Sequence, residues 1–315
     1  MNIYDEAINE RDGRTQFRVC GAITFRHSQS VQSLNPEEVR RAVQLALAED
    51  VGSGDVTTLA TVPETAQFTV VMRAREPLVV AGLALAEATF RELSDQLSIE
   101  IIARDSQRLQ DGETLLRVSG SARAILTAER VALNFVQRLS GIATLTAQFV
   151  DAIHGTSAQI LDTRKTTPGW RRFEKYAVTC GGGTNHRFGL FDLILIKDNH
   201  LAALRDATSN AVAAAVRQAR AVYPQIKVEV EADTLDQVEQ AVEAGADFVL
   251  LDNMTLVQLR LAVQKCKGKT KTEASGGVTL ASIRGIAETG VDFISVGALT
   301  HSARAVDIGL DFEEL

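Results

Sequence analysis

Eight side chains able to carry positive charge fall between Asp162 and His200: Arg164, Lys165, Arg171, Arg172, Lys175, His186, Arg187 and Lys197. Lys and Arg outnumber Asp and Glu there by seven to four, in a chain whose formal charge is −7. An acidic chain that concentrates cation in one segment is building a pocket for a compact anion. The ordinary alternative is a solvated charged loop. Trp170, the run Gly181-Gly182-Gly183 and the apolar run Leu193 to Ile196, which delivers Lys197, argue against it. Glycine lets backbone pass close to a ligand or adopt conformations other residues avoid. Arginine grips carboxylate or phosphate with a fork and lysine meets it as a point charge. Clustered cations disfavour one another's charge until an anion arrives, so Arg164, Lys165, Arg187 and Lys197 suit a ligand with at least two negative charges.

The elements that must position these groups are short apolar strands alternating with helical stretches. Strands are expected at Ile160-Leu161, Leu193 to Ile196, Val228 to Val230, Phe248 to Leu251, Lys271 to Ala274 and Phe293 to Val296. Helices are expected near 201–222, 234–244, 255–266 and 279–289. Repeated βα units make a parallel sheet, either closed into a barrel or open and doubly wound. In a barrel the ligand sits at the carboxyl ends of the strands. Those ends carry Asp162-Thr163-Arg164-Lys165, Lys197-Asp198-Asn199-His200, Glu229 and Glu231, Asp252-Asn253, Ser275-Gly276-Gly277 and Gly297-Ala298. Glu231 and Asp252 suit ribose hydroxyls or Mg²⁺ with its waters. Glycines 276, 277 and 297 expose backbone N–H groups that can cradle a phosphate. Each piece has a plainer alternative: a tight turn at Gly276-Gly277, a helix cap at Asp252, a surface pair of Glu231 with Lys227, a structural His186. Lys197 could also be the Schiff-base lysine of an aldolase-like barrel.

The first half reads differently. Residues 1 to about 33 mix charges without period, as a loosely ordered extension. Asn35-Pro36-Glu37-Glu38 signals a helix start, with Asn35 as cap and Glu38 reaching back. That helix runs to Glu49-Asp50, ahead of a turn-rich Val51 to Asp55. Strands are expected at Gln67 to Ala74 and Leu97 to Ala103, a helix at Gly82 to Leu93, and a long helix over 122–150 interrupted around Ser140-Gly141. This is an α+β domain. At 315 residues the chain can bury a large core. It shows no apolar run long enough for a membrane span and no secretory leader pattern. Cys20, Cys180 and Cys266 are unpaired in spacing, which argues against a disulfide framework or structural zinc and for a cytoplasmic setting. Cys180 reads as a space filler rather than a nucleophile. A pI near 5.4 argues against nucleic-acid binding.

The motifs together resemble the quinolinate phosphoribosyltransferase family, the carboxylating nicotinate-nucleotide pyrophosphorylases. The resemblance is carried by Thr163 to Gly169, Glu174-Lys175-Tyr176-Ala177-Val178, Gly181 to Gly183, Asn185-His186-Arg187 and Ile196 to His200. Glu49 to Thr58, Glu129 to Asn134, Val228 to Glu231 and Glu273 to Gly277 extend it over about residues 36–312. It implies phosphoribosyl transfer from phosphoribosyl pyrophosphate to quinolinate with decarboxylation, giving nicotinate mononucleotide, pyrophosphate and CO₂ for NAD synthesis. It also implies an N-terminal α+β sandwich domain plus an incomplete, open α/β barrel of the type II phosphoribosyltransferase kind. Residues 1–34 would be an extension, 35–132 the sandwich joined by the returning tail 302–315, and 133–301 the barrel. By the same resemblance Arg164, His186, Arg187 and Lys197 bind quinolinate, together with Arg130 entering from the other protomer of a homodimer. Lys165 and Lys197 lie near the pyrophosphate, Glu231 and Asp252 near the ribose hydroxyls and Mg²⁺, and Ser275, Gly276 and Gly297 near the 5′-phosphate. Lys165, Lys197, Glu231 and Asp252 form the catalytic group. Trp170 stands where the family more often has a smaller apolar residue. The choice between a dimer and a hexamer of dimers stays open, as do an acceptor other than quinolinate and a silent binding protein.

Overall fold

Asn35 opens the first helix as its spacing predicts: its side-chain oxygen accepts from the N–H groups of Glu37 at 2.9 Å and Glu38 at 3.3 Å. The helix α1 spans Pro36–Val51 and buries Val39, Val43 and Leu47 on one face. Glu38 does not reach back to the cap; its carboxylate meets Arg172 at 2.8 Å, and a cross-chain ion pair displaces the local one. The computed structural model describes residues 33–204 and 210–313, so the extension expected over residues 1–34 lies almost wholly outside the described residues.

The expected turn-rich stretch Val51 to Asp55 is followed by an unexpected short helix, α2 (Val56–Thr61), capped by the Asp55 carboxylate on Thr58 N–H at 3.0 Å. Beyond it come β1 (Gln67–Ala74), β2 (Leu78–Val79), α3 (Leu83–Leu93), β3 (Ser98–Ile101), β4 (Arg108–Leu109), β5 (Thr114–Ser121) and α4 (Ala122–Ala152). β2 and β4 pair only with each other. The larger sheet has the order β12-β1-β5-β3, where β12 (Ile308–Phe312) arrives from the far end of the chain and pairs antiparallel to β1. One face of this sheet packs Val70, Met72, Leu116 and Val118 with Phe90 of α3 and Ile125 of α4.

α4 is one unbroken helix of 31 residues, roughly 46 Å long. The expected interruption at Ser140-Gly141 is absent, because those two residues receive neighbours there. The Ser140 hydroxyl accepts from Ala81 N–H at 3.0 Å, and Gly141 leaves room for the Arg304 carbonyl. The N-terminal half of α4 belongs to the sandwich core through Ala124, Ile125 and Ala128; Leu139, Ile142 and Phe149 belong to the barrel core.

The second half builds β6 (Gln159–Leu161), α5 (Arg171–Cys180), β7 (Ile194–Ile196), α6 (Asp198–Ala202), α7 (Ala211–Val222) and β8 (Val228–Ala232). It continues with α8 (Leu235–Glu243), β9 (Phe248–Asp252), α9 (Leu256–Cys266), β10 (Lys271–Ser275), α10 (Ile283–Ala287), β11 (Phe293–Ser295) and α11 (Ala298–His301). The expected 201–222 helix is two helices, with residues 205–209 outside the described ones. The six strands run parallel in the order β6-β11-β10-β9-β8-β7. The first strand pairs with the last and every other strand with its sequence neighbour. A doubly wound sheet reverses its strand order at a switch point, and this one does not. The order is that of a barrel left open between β6 and β7. Its lower interior is plugged by Leu161, Leu193, Phe248 and Phe293, with the two phenylalanine rings edge to face at 6.2 Å.

Candidate active site

Strand parity selects the residues that face the barrel axis. Along β8, Val228, Val230 and Ala232 pack outward against the helices, so Glu229 and Glu231 point inward; along β10, Glu273 and Ser275 do. The inward positions form two tiers above the apolar plug.

The upper tier is the rim. Arg164 and Lys165 follow β6, and no described residue bonds either side-chain charge. The Arg164 Nε is buried without a partner. Arg187 is buried, with Nη1 donating to the Leu193 carbonyl at 3.0 Å. Burial, and then the positive charge of Arg164, push the Arg187 guanidinium below its usual range, and the carboxylates of Glu229 and Asp192 offset this only in part. Across the mouth, the Lys197 ammonium pairs with the Glu231 carboxylate. Asn253 Nδ2 donates to the Asp252 carboxylate at 2.7 Å. Asn253 sits at φ 52°, a left-handed conformation that asparagine tolerates, and its backbone N–H donates to the Ser275 carbonyl at 3.0 Å. Gly276, at φ 98°, leaves the space that Asn253 fills: a Cβ there would lie 2.1 Å from the Asn253 amide oxygen. Gly297 lies under the Lys165 stem and beside His301, whose Nε2 comes within 3.1 Å of where a Gly297 Cβ would stand. The Thr300 hydroxyl donates to the Lys165 carbonyl at 2.7 Å, tying α11 to the basic loop.

The lower tier is fully occupied. Lys175 and Asp162 form a buried pair at 2.5 Å, and burial pushes the carboxyl of Asp162 up and the ammonium of Lys175 down. His186 is surrounded: its N–H donates to Asp162 at 2.8 Å and its carbonyl accepts from Lys175 at 3.0 Å. Its Nδ1 accepts from Arg187 N–H at 2.7 Å, while Nε2 lies 3.1 Å from Glu229 and 3.3 Å from Glu273. Burial opposes charge on the imidazole, and Glu273 and Glu229 outweigh it, so the ring holds its proton well above its ordinary range. Burial and Glu273 push Glu229 up as well. Because Nδ1 accepts from Arg187 N–H, the ring proton sits on Nε2, and the one further proton of this cluster of net charge about −1 is held between Glu229 and Glu273. His186, Glu229 and Glu273 have the composition of a metal site. A metal on Nε2 of a neutral ring would need a proton on Nδ1, and Nδ1 faces a donor, so this geometry favours the proton.

Two models of one family cover most of the chain: the quinolinate phosphoribosyl transferase N-terminal domain over residues 55–140 and its C-terminal domain over 142–311. The nicotinate-nucleotide pyrophosphorylase [carboxylating] of Mycobacterium leprae is 46% identical over 281 residues, covering 87% of this chain and 97% of that protein. The chain belongs to the quinolinate phosphoribosyltransferase family. A chloroplastic Arabidopsis thaliana relative bearing the same name is 42% identical, over 88% of this chain and 83% of its own. The solved nicotinate-nucleotide pyrophosphorylase of Francisella tularensis superposes with a TM-score of 0.85 at 39% identity, over 91% of this chain and all of that one.

Of the positions the family resemblance marks, the strand ends hold Arg164, Lys165, Lys197, Glu231, Asp252, Ser275, Gly276 and Gly297. His186 lies beneath them with every polar atom engaged. Arg130 is exposed on α4, and no described residue bonds its guanidinium. Two features differ from the reading of the sequence, and one of its plainer alternatives is not realised. The triple glycine serves packing and backbone geometry: a Cβ at Gly181 would stand 2.3 Å from the Ala143 carbonyl, so the run lets α5 close on α4, and Gly182 takes φ 86°. Lys175, Arg171 and Arg172 are not free cations of the pocket. Arg171 donates to Thr166 and the Phe188 carbonyl, while Arg172 pairs with Glu38 and lies over the Phe188 ring at 4.9 Å. Glu231 pairs with Lys197 and not with Lys227, which pairs with Asp247. The sequence reading placed Glu229 at a strand end but not against Glu273, and gave Glu273 and Glu174 no role of their own. Glu174 is fully buried, accepts from Thr167 N–H at 3.1 Å and pairs with Arg138 at 3.0 Å. The available signal was parity: a glutamate two positions before a site residue on the same strand shares its inward face. Trp170 stacks on Phe135 at 5.3 Å and belongs to the packing beneath the loop. Cys180 is buried, and burial pushes its thiol up to about 12, as for a space filler.

Proposed function

We propose that this chain transfers the phosphoribosyl group of phosphoribosyl pyrophosphate to the nitrogen of quinolinate with decarboxylation, as a nicotinate-nucleotide pyrophosphorylase (carboxylating) of NAD biosynthesis. The observation that carries the reading is the shortage of anions at the rim. Arg164, with its buried and unpartnered Nε, adjoins the half-compensated Arg187. A small dicarboxylate would answer both arginines, whereas a monocarboxylate would leave one unmatched.

Arg164, Arg187 and Lys197 would hold the ring carboxylates and aim the pyridine nitrogen at C1 of the ribose, which supplies much of the rate by orientation. Lys165 and Lys197 would meet the pyrophosphate as its bond to C1 breaks and its charge grows. Glu231 and Asp252 would receive the ribose hydroxyls, and Ser275, Gly276 and Gly297 the 5′-phosphate. After transfer, the electron pair of the departing carboxylate is held at carbon beside the quaternised nitrogen until a proton replaces CO₂. Glu231 and Asp252 are hard oxygen donors at the ends of adjacent strands and suit Mg²⁺. Bound Mg²⁺ would neutralise charge on the pyrophosphate. The aldolase alternative is disfavoured, because the Lys197 ammonium is held in an ion pair with Glu231.

The same reading extends to assembly. Arg130 would enter the site of a second copy in a homodimer. Its exposure supports this, as do the exposed Val56 and Leu59 of α2, a helix whose cap Asp55 is tied to α4 by Thr127 at 3.1 Å. We assign 35–132 with tail 302–315 to one folding unit and 133–301 to the other, α4 being shared. No helix among the described residues is long and apolar enough to cross a membrane, and a cytoplasmic location is our proposal. The test is an assay of purified protein with quinolinate, phosphoribosyl pyrophosphate and Mg²⁺, with nicotinate in parallel. Nicotinate mononucleotide and CO₂ from quinolinate are expected. Product from nicotinate instead would overturn the dianion reading.

A further inference from the structure

Residues 164–169 carry two cations of the rim but form no strand or helix. Their place must therefore be set by groups that bond them from other elements. Among the described residues, three side chains do so. The Thr300 hydroxyl of α11 donates to the Lys165 carbonyl at 2.7 Å. The Glu174 carboxylate of α5 accepts from the Thr167 N–H at 3.1 Å and the Thr167 hydroxyl at 2.9 Å. Arg171 donates through Nε to the Thr166 hydroxyl at 3.0 Å. The first two of these are fastened to one another by Arg138 of α4. Its Nη2 donates to Glu174 at 3.0 Å and to the Thr300 carbonyl at 2.6 Å, and its Nη1 to the Ala303 carbonyl at 2.6 Å. The bonds close a circuit: Arg138 to Thr300, Thr300 to Lys165, along the loop to Thr167, then through Glu174 back to Arg138. The two carbonyls lie at the end of α11, where a helix leaves acceptors free. The same helix starts at Ala298, directly after Gly297. Glu174 is fully buried, so its charge needs both Arg138 and Thr167.

We infer that Arg138 and Glu174 are positioning residues for the transfer: through Thr300 and Thr167 they fix the distance between the loop bearing Arg164 and Lys165 and the Gly297 end of α11. This rests on the proposed roles of Lys165 at the pyrophosphate and Gly297 at the 5′-phosphate. Phosphoribosyl pyrophosphate is then gripped at both ends, and the separation of the two grips decides whether C1 of the ribose meets the attacking nitrogen. The two grips already touch, since a Cβ at Gly297 would lie 3.1 Å from Cδ of Lys165. The geometry calls for arginine. A planar guanidinium can meet a carboxylate on α5 and two carbonyls at the end of α11 together. Lysine, a point charge on a flexible stem, can keep the ion pair but not the three-way bridge. Neutralising Glu174 and bridging α5 to α11 are thus two separable tasks of one side chain.

The experiment uses the full-length protein. It measures kcat, KM for each substrate and the melting temperature for Arg138→Lys, Thr167→Val, Thr300→Val and the double variant Thr167→Val/Thr300→Val. Rates are taken at a temperature where every variant is fully folded, and Lys165→Ala is the control. Arg138→Lys keeps a charge beside Glu174, so its melting temperature should stay near that of the wild type. A loop shifted against α11 predicts kcat lowered about 10- to 100-fold in the same variant. KM for phosphoribosyl pyrophosphate should change less than kcat, because the grip matters most as charge grows on the leaving pyrophosphate. Each valine variant removes one link of the circuit and should lower kcat in the same direction. The double variant should lose less than the product of the two single losses, as for links of one network. A purely structural ion pair predicts the reverse pattern, with rates per folded molecule unchanged. Wild-type kcat in Arg138→Lys and in both valine variants would overturn the inference, and the valine variants decide it alone if Arg138→Lys does not fold. Wild-type kinetics in Lys165→Ala would remove the reading on which the inference rests, a result distinct from the first.

Discussion

The rim and the floor of the barrel mouth are both crowded with charge, yet they are built on opposite terms. On the floor, Lys175 has Asp162, and His186 has Glu229 and Glu273, all buried. On the rim, Arg164 and Lys165 have no described partner, and Arg187 faces Arg164 with only a carbonyl on its guanidinium. A buried ion pair is costly to break because the remaining partner is stranded in low dielectric. An unmatched cation at an open mouth destabilises the empty protein and rewards the arrival of an anion. Residue type does not separate Arg164, Lys165 and Arg187 from the floor, and neither does position alone, since Lys197 on the rim is paired with Glu231; whether a cation has an anionic partner does.

The largest effect that tests this contrast is on the floor. Lys175→Met strands the fully buried Asp162 carboxylate and should cost about 3–5 kcal/mol of stability. Adding Asp162→Asn should return part of that cost, since neither charge then remains. Thermal or denaturant unfolding of the three variants measures it. Equal stability of Lys175→Met and the wild type would mean that the pair does not hold the floor together. On the rim the sign should reverse. Arg164→Ala removes an unpartnered cation beside another cation, so the melting temperature of the empty protein should hold or rise. Quinolinate affinity should fall about 100-fold, as for loss of a charge-assisted fork. A joint measurement of melting temperature with and without quinolinate separates the tiers: floor variants melt early in both conditions, and rim variants lose only the ligand-induced rise. An Arg164→Ala protein that unfolds early without ligand would break the distinction.

Periodicity made the barrel strands legible, because most are short apolar or alternating runs ended by a polar exit, while β10 (Lys271-Thr272-Glu273-Ala274-Ser275) is marked by its spacing, and all six lie where they are expected. The closure pattern was not legible: β6 pairing with β11 rather than β7 is a contact across more than 130 residues, and no local signal carries it. Short elements held by a single contact also escaped. α2 depends on one capping carboxylate, and β2 and β4 on two residue pairs. At the site, the strand exits announced Arg164, Lys197, Glu231 and Asp252. What the sequence could not announce was which charges are spent on one another. Lys175 reads as a free cation until Asp162 is found 13 residues away in sequence and 2.5 Å away in space. Glu229 and Glu273 meet only because β9 holds their strands in register around the axis.

The smallest effect concerns the returning tail, which joins the two halves through exposed charge and not buried charge. Glu76 accepts from both Arg304 terminal nitrogens and from Asp307 N–H at 2.7 Å, just before β12 adds to the sheet. Its hydrogen bond to Arg304 outweighs burial and holds the carboxyl down at about 2, against 4.5 unperturbed. A depressed native pKa contributes stability that is present above the unfolded value and lost as pH falls, here between about 4.5 and 2. Because Arg304 is largely exposed, solvent screening reduces that contribution to about 1 kcal/mol or less. Glu76→Gln should therefore lower stability slightly at neutral pH, and the gap from the wild type should close as pH falls through that window. Hydrogen exchange at β12 amides, followed across the same range, should show the tail loosening ahead of the barrel. A gap that stays constant down to pH 2 would mean that the hydrogen-bond geometry, and not the charge of Glu76, holds the tail, and would place this contact with the floor and not with the exposed pairs.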